Sequence, residues 1–213
     1  MLMDGHSLTQ LQDILFWLML VAVAVSAMSA VLIAGRHGFD LFGMSIIALA
    51  TALGGGSARD LLLDRPVFWV ENQTFLVVAL GAGAVTFFAA RAFRFSVGLF
   101  LIPDAIGLAT FSIAGTLKAL SFGAPWLVAS FMGVITGVVG GILRDVMCNE
   151  TPIVFRSTIY ATVSWGGGIL FILLIRYGMD AAMAAIVAGL GIFATRMAAI
   201  RWGLSLPVFR ARE

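Results

Sequence analysis

The chain predicts an all-α membrane protein of seven transmembrane helices: an inverted repeat of two three-helix bundles, plus a seventh helix. Three observations predict it. Of 213 residues, 61% are hydrophobic and 11% charged, against roughly 45–50% and 25% in soluble domains. The apolar segments run from end to end, leaving room for about seven spans of ~20 residues and almost nothing outside the membrane. One pattern also occurs twice, as Thr51-Ala-Leu-Gly-Gly-Gly-Ser-Ala-Arg59-Asp60 and Thr136-Gly-Val-Val-Gly-Gly-Ile-Leu-Arg144-Asp145, at a shift of 85 residues.

The spans fall at 14–34, 40–63, 73–93, 99–120, 125–147, 157–176 and 179–199 of a single transmembrane domain, 1–213. The first has acidic flanks, Asp4 and Asp13, and no basic leader, so it reads as a retained span. Short links follow at Gly35-Arg-His-Gly38, Asp64-Arg-Pro66, Arg91 to Arg94, Gly123-Ala-Pro125, Asn149-Glu-Thr-Pro152 and Arg176-Tyr-Gly178. Links this short require antiparallel neighbours. Spans two and five carry the repeated pattern. Span four starts at Pro103-Asp104, and the last, rich in Ala and Gly from Ala181 to Thr195, reads as a packing helix. The shift also places Gly38 on Gly123, Gly83 on Gly168 and Arg91 on Arg176, so 14–93 is repeated by 99–176. Three spans is an odd number, so the second copy enters from the opposite side.

Basic residues set the expected orientation. One face collects Arg36, Arg91, Arg94, Arg144, Arg156, Arg196, Arg201, Arg210 and Arg212, and the other only Arg59, Arg65, Lys118 and Arg176. The first face is expected in the cytoplasm, with the N-terminus outside and the C-terminus inside. Trp17, Trp69 and Trp126 then fall near the outer interface and Trp202 near the inner one.

Two readings stand for the glycines. Small residues let membrane helices approach closely. Alternatively, Gly54, Gly55 and Gly56, with Ser57 beside them, and Gly140 and Gly141 break their helices and expose main chain to a wet path. Gly costs about 1 kcal/mol against Ala in a helix, and the duplicated charges favour the break. Thr51 and Thr136 either bond their own backbone or add hydroxyls to that path. Arg59-Asp60 and Arg144-Asp145 are either interfacial pairs or charged vestibules. Helix neighbours point about 100° apart, so each Arg is expected to pair away from its adjacent Asp.

Lys118 is the only lysine, and its repeat mate is Ile33. It either bonds freed carbonyls at the depth of Gly54 to Gly56 or snorkels outward. Asp104 is either an ordinary helix start or an attractor of cations at the inner mouth.

Much is excluded. One cysteine, Cys148, forms no internal disulfide and no Cys metal site. His6 and His37 sit in a tail and a loop, and no nucleophile–base pair, metal cluster or cofactor motif is present. Gly54-Gly-Gly-Ser lacks the Lys-Ser/Thr ending of a phosphate loop. A net charge of +2 gives no reason to expect nucleic acid. The chain does not read as an enzyme.

At these residues, and over nearly its whole length, the chain resembles the prokaryotic TRIC family, the trimeric intracellular cation channels. Their wider superfamily includes bacterial proteins assigned as glycine transporters. The resemblance implies a homotrimer in membrane lipid with one pore per protomer, passing potassium and sodium with weak selectivity. It implies kinks at Gly54–Gly56 and Gly140–Gly141, and a gating role for Lys118 through bonds to backbone there. The second motif has only two glycines, so its break is expected to be milder. Animal members carry a second basic residue where this chain has Phe122, so their regulation does not carry over. The expected function is a potassium channel of the bacterial inner membrane. Its rival is a secondary transporter of a small zwitterion such as glycine. A non-conducting scaffold subunit has no need of the repeated pattern.

Overall fold

A computed structural model describes residues 5–93, 100–155 and 159–207. Its elements are α1 (Gly5–Ala34), α2 (Leu41–Leu62), α3 (Phe68–Glu71), α4 (Thr74–Ala92), α5 (Leu101–Ser121), α6 (Trp126–Met147), α7 (Ala161–Arg176) and α8 (Ala181–Trp202), with a 3-10 turn at Ile153–Phe155. The seven long helices occupy the seven expected spans. α1 begins earlier, at Gly5, and α7 later, at Ala161. Arg94, Arg156, Arg210 and Arg212 of the basic set lie outside the described residues.

Five of the described helices are long and apolar enough to cross a membrane by length and composition alone: Asp13–Ala34 within α1, then α2, α4, α6 and α8. α7 has 16 residues. α5 carries Asp104, Ser112, Thr116 and Lys118. Such polar groups are tolerated at membrane depth when they face protein, and α5 is the most enclosed helix, packed against α1, α6, α7 and α8. The outer surface shows Val77, Val85, Phe88, Phe131, Ile186 and Leu190, as lipid requires.

Local chemistry fixes the helix ends. The Asp40 carboxylate accepts from the Gly43 N–H at 2.7 Å and opens α2. Asp180 does the same for α8, accepting from Ala182 and Met183. Gly38 and Gly123 hold φ of 71° and 80° in the links before α2 and α6, a conformation that costs glycine little.

The 85-residue shift reappears in detail. It carries Leu41–Leu62 onto Trp126–Met147, end for end. Asp64 and Asn149, just beyond, are the two non-glycine residues with positive φ, 51° and 56°, among those described. The Arg65 N–H bonds the Asp60 carbonyl at 2.9 Å, and the Glu150 N–H bonds that of Asp145 at 2.8 Å. The shift also takes Phe68, first residue of α3, to Ile153, first residue of the 3-10 turn. Neither short element was expected, because three or four residues carry no hydrophobic period.

Two apolar cores form. One joins α1, α2 and α4 through Val23, Ala48, Phe68, Phe75 and Ala79. The other joins α5, α6, α7 and α8 through Leu108, Val138, Phe171 and Ile192. α2 and α6 meet between them.

At that meeting the expected helix breaks are absent. α2 is helical throughout Leu41–Leu62 and α6 throughout Trp126–Met147. The glycines serve as contact surface instead. A Cβ on Gly55 would overlap the Thr136 carbonyl oxygen, and one on Gly140 that of Thr51. As numbering rises along one helix it falls along the other, so α2 and α6 cross antiparallel, backbone on backbone. Gly54 receives the Leu143 side chain and Gly56 the Phe68 ring, each too close for a Cβ. The same close approach recurs between α5 and α6, where Gly115 lies against Thr136 and Gly133 against Thr116. This is the small-residue packing of membrane helices, and it removes the reason for a break.

Gly55→Ala or Gly140→Ala should therefore cost about 1–3 kcal/mol, the usual range for overpacking, and lower the apparent Tm in detergent. Gly81→Ala should not, because its Cβ would meet nothing within 4 Å. Equal Tm values for the three variants would contradict the close crossing.

Candidate functional site

Each motif ends, one turn past its crossing glycine, in a buried ion pair. Arg59 and Asp60 are both 0% exposed, Arg144 is 1% and Asp145 3%. Enclosed by protein, they neither snorkel nor line open vestibules. Since α2 and α6 cross antiparallel, their C-terminal ends, and so the two pairs, lie at opposite ends of the crossing.

Each Arg does bond its neighbour, against expectation. Arg59 donates from Nε and Nη2 to Asp60 Oδ1 at 2.8 and 2.7 Å. Arg144 donates from Nε to Asp145 Oδ1 at 2.9 Å. The 100° between adjacent positions is bridged by the long arginine stem. Burial supplies the reason: an unpaired charge there is far costlier than a bent side chain. The second carboxylate oxygen of each Asp fixes the turn eight residues on, Asp60 Oδ2 accepting from the Phe68 N–H at 3.0 Å and Asp145 Oδ2 from the Ile153 N–H at 2.8 Å. The Arg-Asp pair thus folds the chain back beneath its own helix.

The two clusters then diverge. Arg144 Nη1 also donates to Asp104 Oδ1 at 2.7 Å and to Ser29 Oγ at 3.1 Å. Asp104 is therefore more than a helix start; it is the second carboxylate on one guanidinium. The repeat mate of Asp104 is Met19, and Arg59 Nη1 correspondingly meets Met19 Sδ at 4.0 Å. Asp60 instead receives a second cation, with Lys118 Nζ 3.7 Å from Oδ1. Lys118 also lies over the Phe68 and Phe122 rings at 5.9 and 5.7 Å. A carboxylate is its partner, where carbonyls or the outer surface were expected.

From the crossing to the Arg144 cluster runs a polar seam. Thr51 Oγ1 donates to the Ile47 carbonyl and Thr136 Oγ1 to that of Met132, both at 2.6 Å. Each threonine thus bonds its own helix and turns lone pairs outward. Ser26, Ser29, Thr51, Asp104, Thr136 and Arg144 border a cavity of about 10 Å³, close to the minimum for one water molecule. Among the described residues, Asp104 Oδ2, Arg144 Nη2 and Arg196 Nε are buried without a partner. Ser57 lies off this seam. It donates to the Leu53 carbonyl and accepts from Trp69 Nε1 at 2.9 Å, tying α3 to α2.

Sequence reasoning passed over Met19, Ser29, Tyr160 and Arg196. Arg196, counted only for topology, is 1% exposed; it donates to the Ile159 carbonyl at 3.3 Å and stacks over Tyr160 at 4.7 Å. The 85-residue shift would have found Met19, as the mate of Asp104.

The family model described as glycine transporter matches residues 16–91 and again 101–176. The UPF0126 inner membrane protein YadS of Escherichia coli (strain K12) is 41% identical over 204 residues, covering 94% of this chain and 98% of its own. A UPF0126 membrane protein of Deinococcus radiodurans is 37% identical, over 93% and 94%. Among solved structures, the TRIC trimeric intracellular cation channel orthologue from Rhodobacter sphaeroides superposes with a TM-score of 0.85 at 34% identity, over 89% of this chain and 98% of that one. A prokaryotic TRIC channel in 0.5 M KCl superposes at 0.84 and 28% identity, over 92% and 100%.

Removing one partner of a buried pair typically costs about 3–5 kcal/mol. Asp145→Asn keeps the shape of the side chain and an acceptor for the Ile153 N–H, yet discharges it. It should lower the apparent Tm sharply in detergent, whereas Asp64→Asn, on an exposed link residue, should not. Equal stability of the two variants would show that the pair is dispensable.

Proposed function

The chain belongs to the glycine transporter family and to UPF0126, and from that premise we propose that it is a monovalent cation channel, carrying chiefly potassium. It works in the bacterial inner membrane as a homotrimer, with one pathway per protomer formed by an inverted repeat of 14–93 and 99–176. The Arg-rich end faces the cytoplasm. The observation that carries this reading is a buried polar seam at a helix crossing, in a fold shared with TRIC cation channels.

The pathway follows that seam. Thr51, Thr136, Ser26 and Ser29 present hydroxyl oxygens along it. The main chain at Gly55 and Gly140 forms its narrowest point, where each glycine lies against the opposing threonine carbonyl. A cavity of about 10 Å³ is far smaller than a hydrated ion, so this is a closed conformation. Conduction requires α2 and α6 to part at the crossing. Glycines suit that movement, because Gly55 and Gly140 meet backbone only and the one side chain reaching across the contact is that of Leu143, against Gly54.

Lys118 obstructs one end. A resident ammonium and a passing cation about 4 Å apart repel by about 4 kcal/mol at an effective dielectric of 20. Asp60 holds that ammonium, with Nζ 3.7 Å from its oxygen. Arg59 and Arg144 keep the Asp60 and Asp145 turns closed at the two ends, and their role in the pathway is structural support.

The rival, transport of a small zwitterion, draws on the description of the matching family model. In planar bilayers the purified protein should give unitary potassium current steps, and Lys118→Ala should raise the open probability. Saturable glycine uptake into proteoliposomes without such steps would replace the channel reading by the rival. Unchanged or reduced opening in Lys118→Ala would remove the lysine from gating.

A further inference from the structure

The repeat builds the same backbone frame twice and charges it oppositely. Around Arg144 two carboxylates, Asp104 and Asp145, share one guanidinium. Around Asp60 two cations, Arg59 and Lys118, share one carboxylate. The difference lies at two positions that the repeat does not duplicate. Asp104 has Met19 as its mate, and Lys118 has Ile33; both mates are buried and apolar.

The two unduplicated charges stand differently from the rest. The Asp104 side chain is 5% exposed, and Arg144 occupies only its Oδ1. Its Oδ2 has no partner among the described residues, and the residue borders the cavity with Ser26, Ser29, Thr51, Thr136 and Arg144, whose single positive charge is outweighed by the two carboxylates of Asp104 and Asp145. Both threonine hydroxyls spend their protons on their own helices, so oxygen lone pairs join the carboxylate there. Arg196, the other buried cation nearby, lies over the Tyr160 ring and is not part of the wall. At the opposite end Lys118 remains 17% exposed. Exposed Glu71 also acts on it, from where solvent screens it.

We propose that these two residues make the pathway electrically one-sided. Asp104 concentrates monovalent cations at its end and Lys118 depletes them at the other. Cation current therefore runs more readily from the Asp104 end to the Lys118 end than in reverse. Fixed charge lining a narrow, low-dielectric passage sets the local ion concentration, and the supply of ions at the entry side limits the current. This rests on the conduction reading above and adds to it a direction and two residues that set it.

The test is the open-channel current–voltage relation of single channels in symmetrical KCl. In ~0.1 M KCl the wild-type amplitudes at equal and opposite voltages should differ by about twofold, and in ~1 M KCl, where the Debye length falls from about 10 to 3 Å, they should nearly match. Asp104→Asn and Lys118→Gln should each bring the low-salt ratio toward one, and Asp104→Glu should keep it. If Asp104→Asn yields no folded protein, Met19→Asp decides: a carboxylate at the mate position should also bring the ratio toward one. Unitary steps that are symmetric in the wild type overturn this proposal alone, as does a low-salt ratio that ignores Asp104→Asn or, in its place, Met19→Asp. Absence of unitary steps overturns the conduction reading and this proposal with it.

Discussion

The structure depends on one contact: two helix backbones crossing with nothing between them. Gly55 lies against the Thr136 carbonyl and Gly140 against that of Thr51. No other residue has room there. Lipid offers helices no hydrophobic reward for associating, so close packing must supply it. The crossing joins the two apolar cores and sets the positions of everything polar along it. The threonines that supply the carbonyls also present hydroxyls to the seam. The arginines one turn further on are buried because the crossing brings the bundle around them.

A second constraint follows. Charges held that deep must be matched locally, and each Arg takes its adjacent Asp because no other arrangement is common to both halves. The surplus is where the halves part company. Asp104 joins one cluster and Lys118 the other, and each is admitted because an opposite charge is already in place. The same frame thus tolerates a variable charge at each end. Of the unduplicated residues, Asp104 borders the cavity and Lys118 stands with Asp60 at the other end of the crossing.

The seven long helices were legible in the sequence, because hydropathy fixes spans and a shift of 85 ties six of them in two sets of three. The membrane class followed from the same numbers. Glycine's role was not legible. Gly54-Gly-Gly reads equally as a hinge or a contact surface, and the choice depends on whether a partner helix lies against it. Here the Thr136 carbonyl and the Leu143 side chain do, and α2 stays helical. The Arg-Asp pairing is not legible from the helical angle between neighbours, because burial, which overrides that angle, has no signature in the local sequence. α3 and the 3-10 turn escaped notice because they are held by a carboxylate eight residues upstream, a contact with no local signature. The Asp104 pairing was within reach, since the shift that aligned the motifs also sets it against Met19.

If the α2–α6 crossing must part for cations to pass, a covalent lock across it stops conduction. A Cβ on Gly54 would meet the Leu143 side chain across the crossing, so Gly54→Cys with Leu143→Cys, in a Cys148→Ser background, places two thiols there. Oxidation should abolish the potassium current of single channels, and reduction should restore it. Full current with the disulfide formed, verified by mass spectrometry on the same preparation, would contradict it.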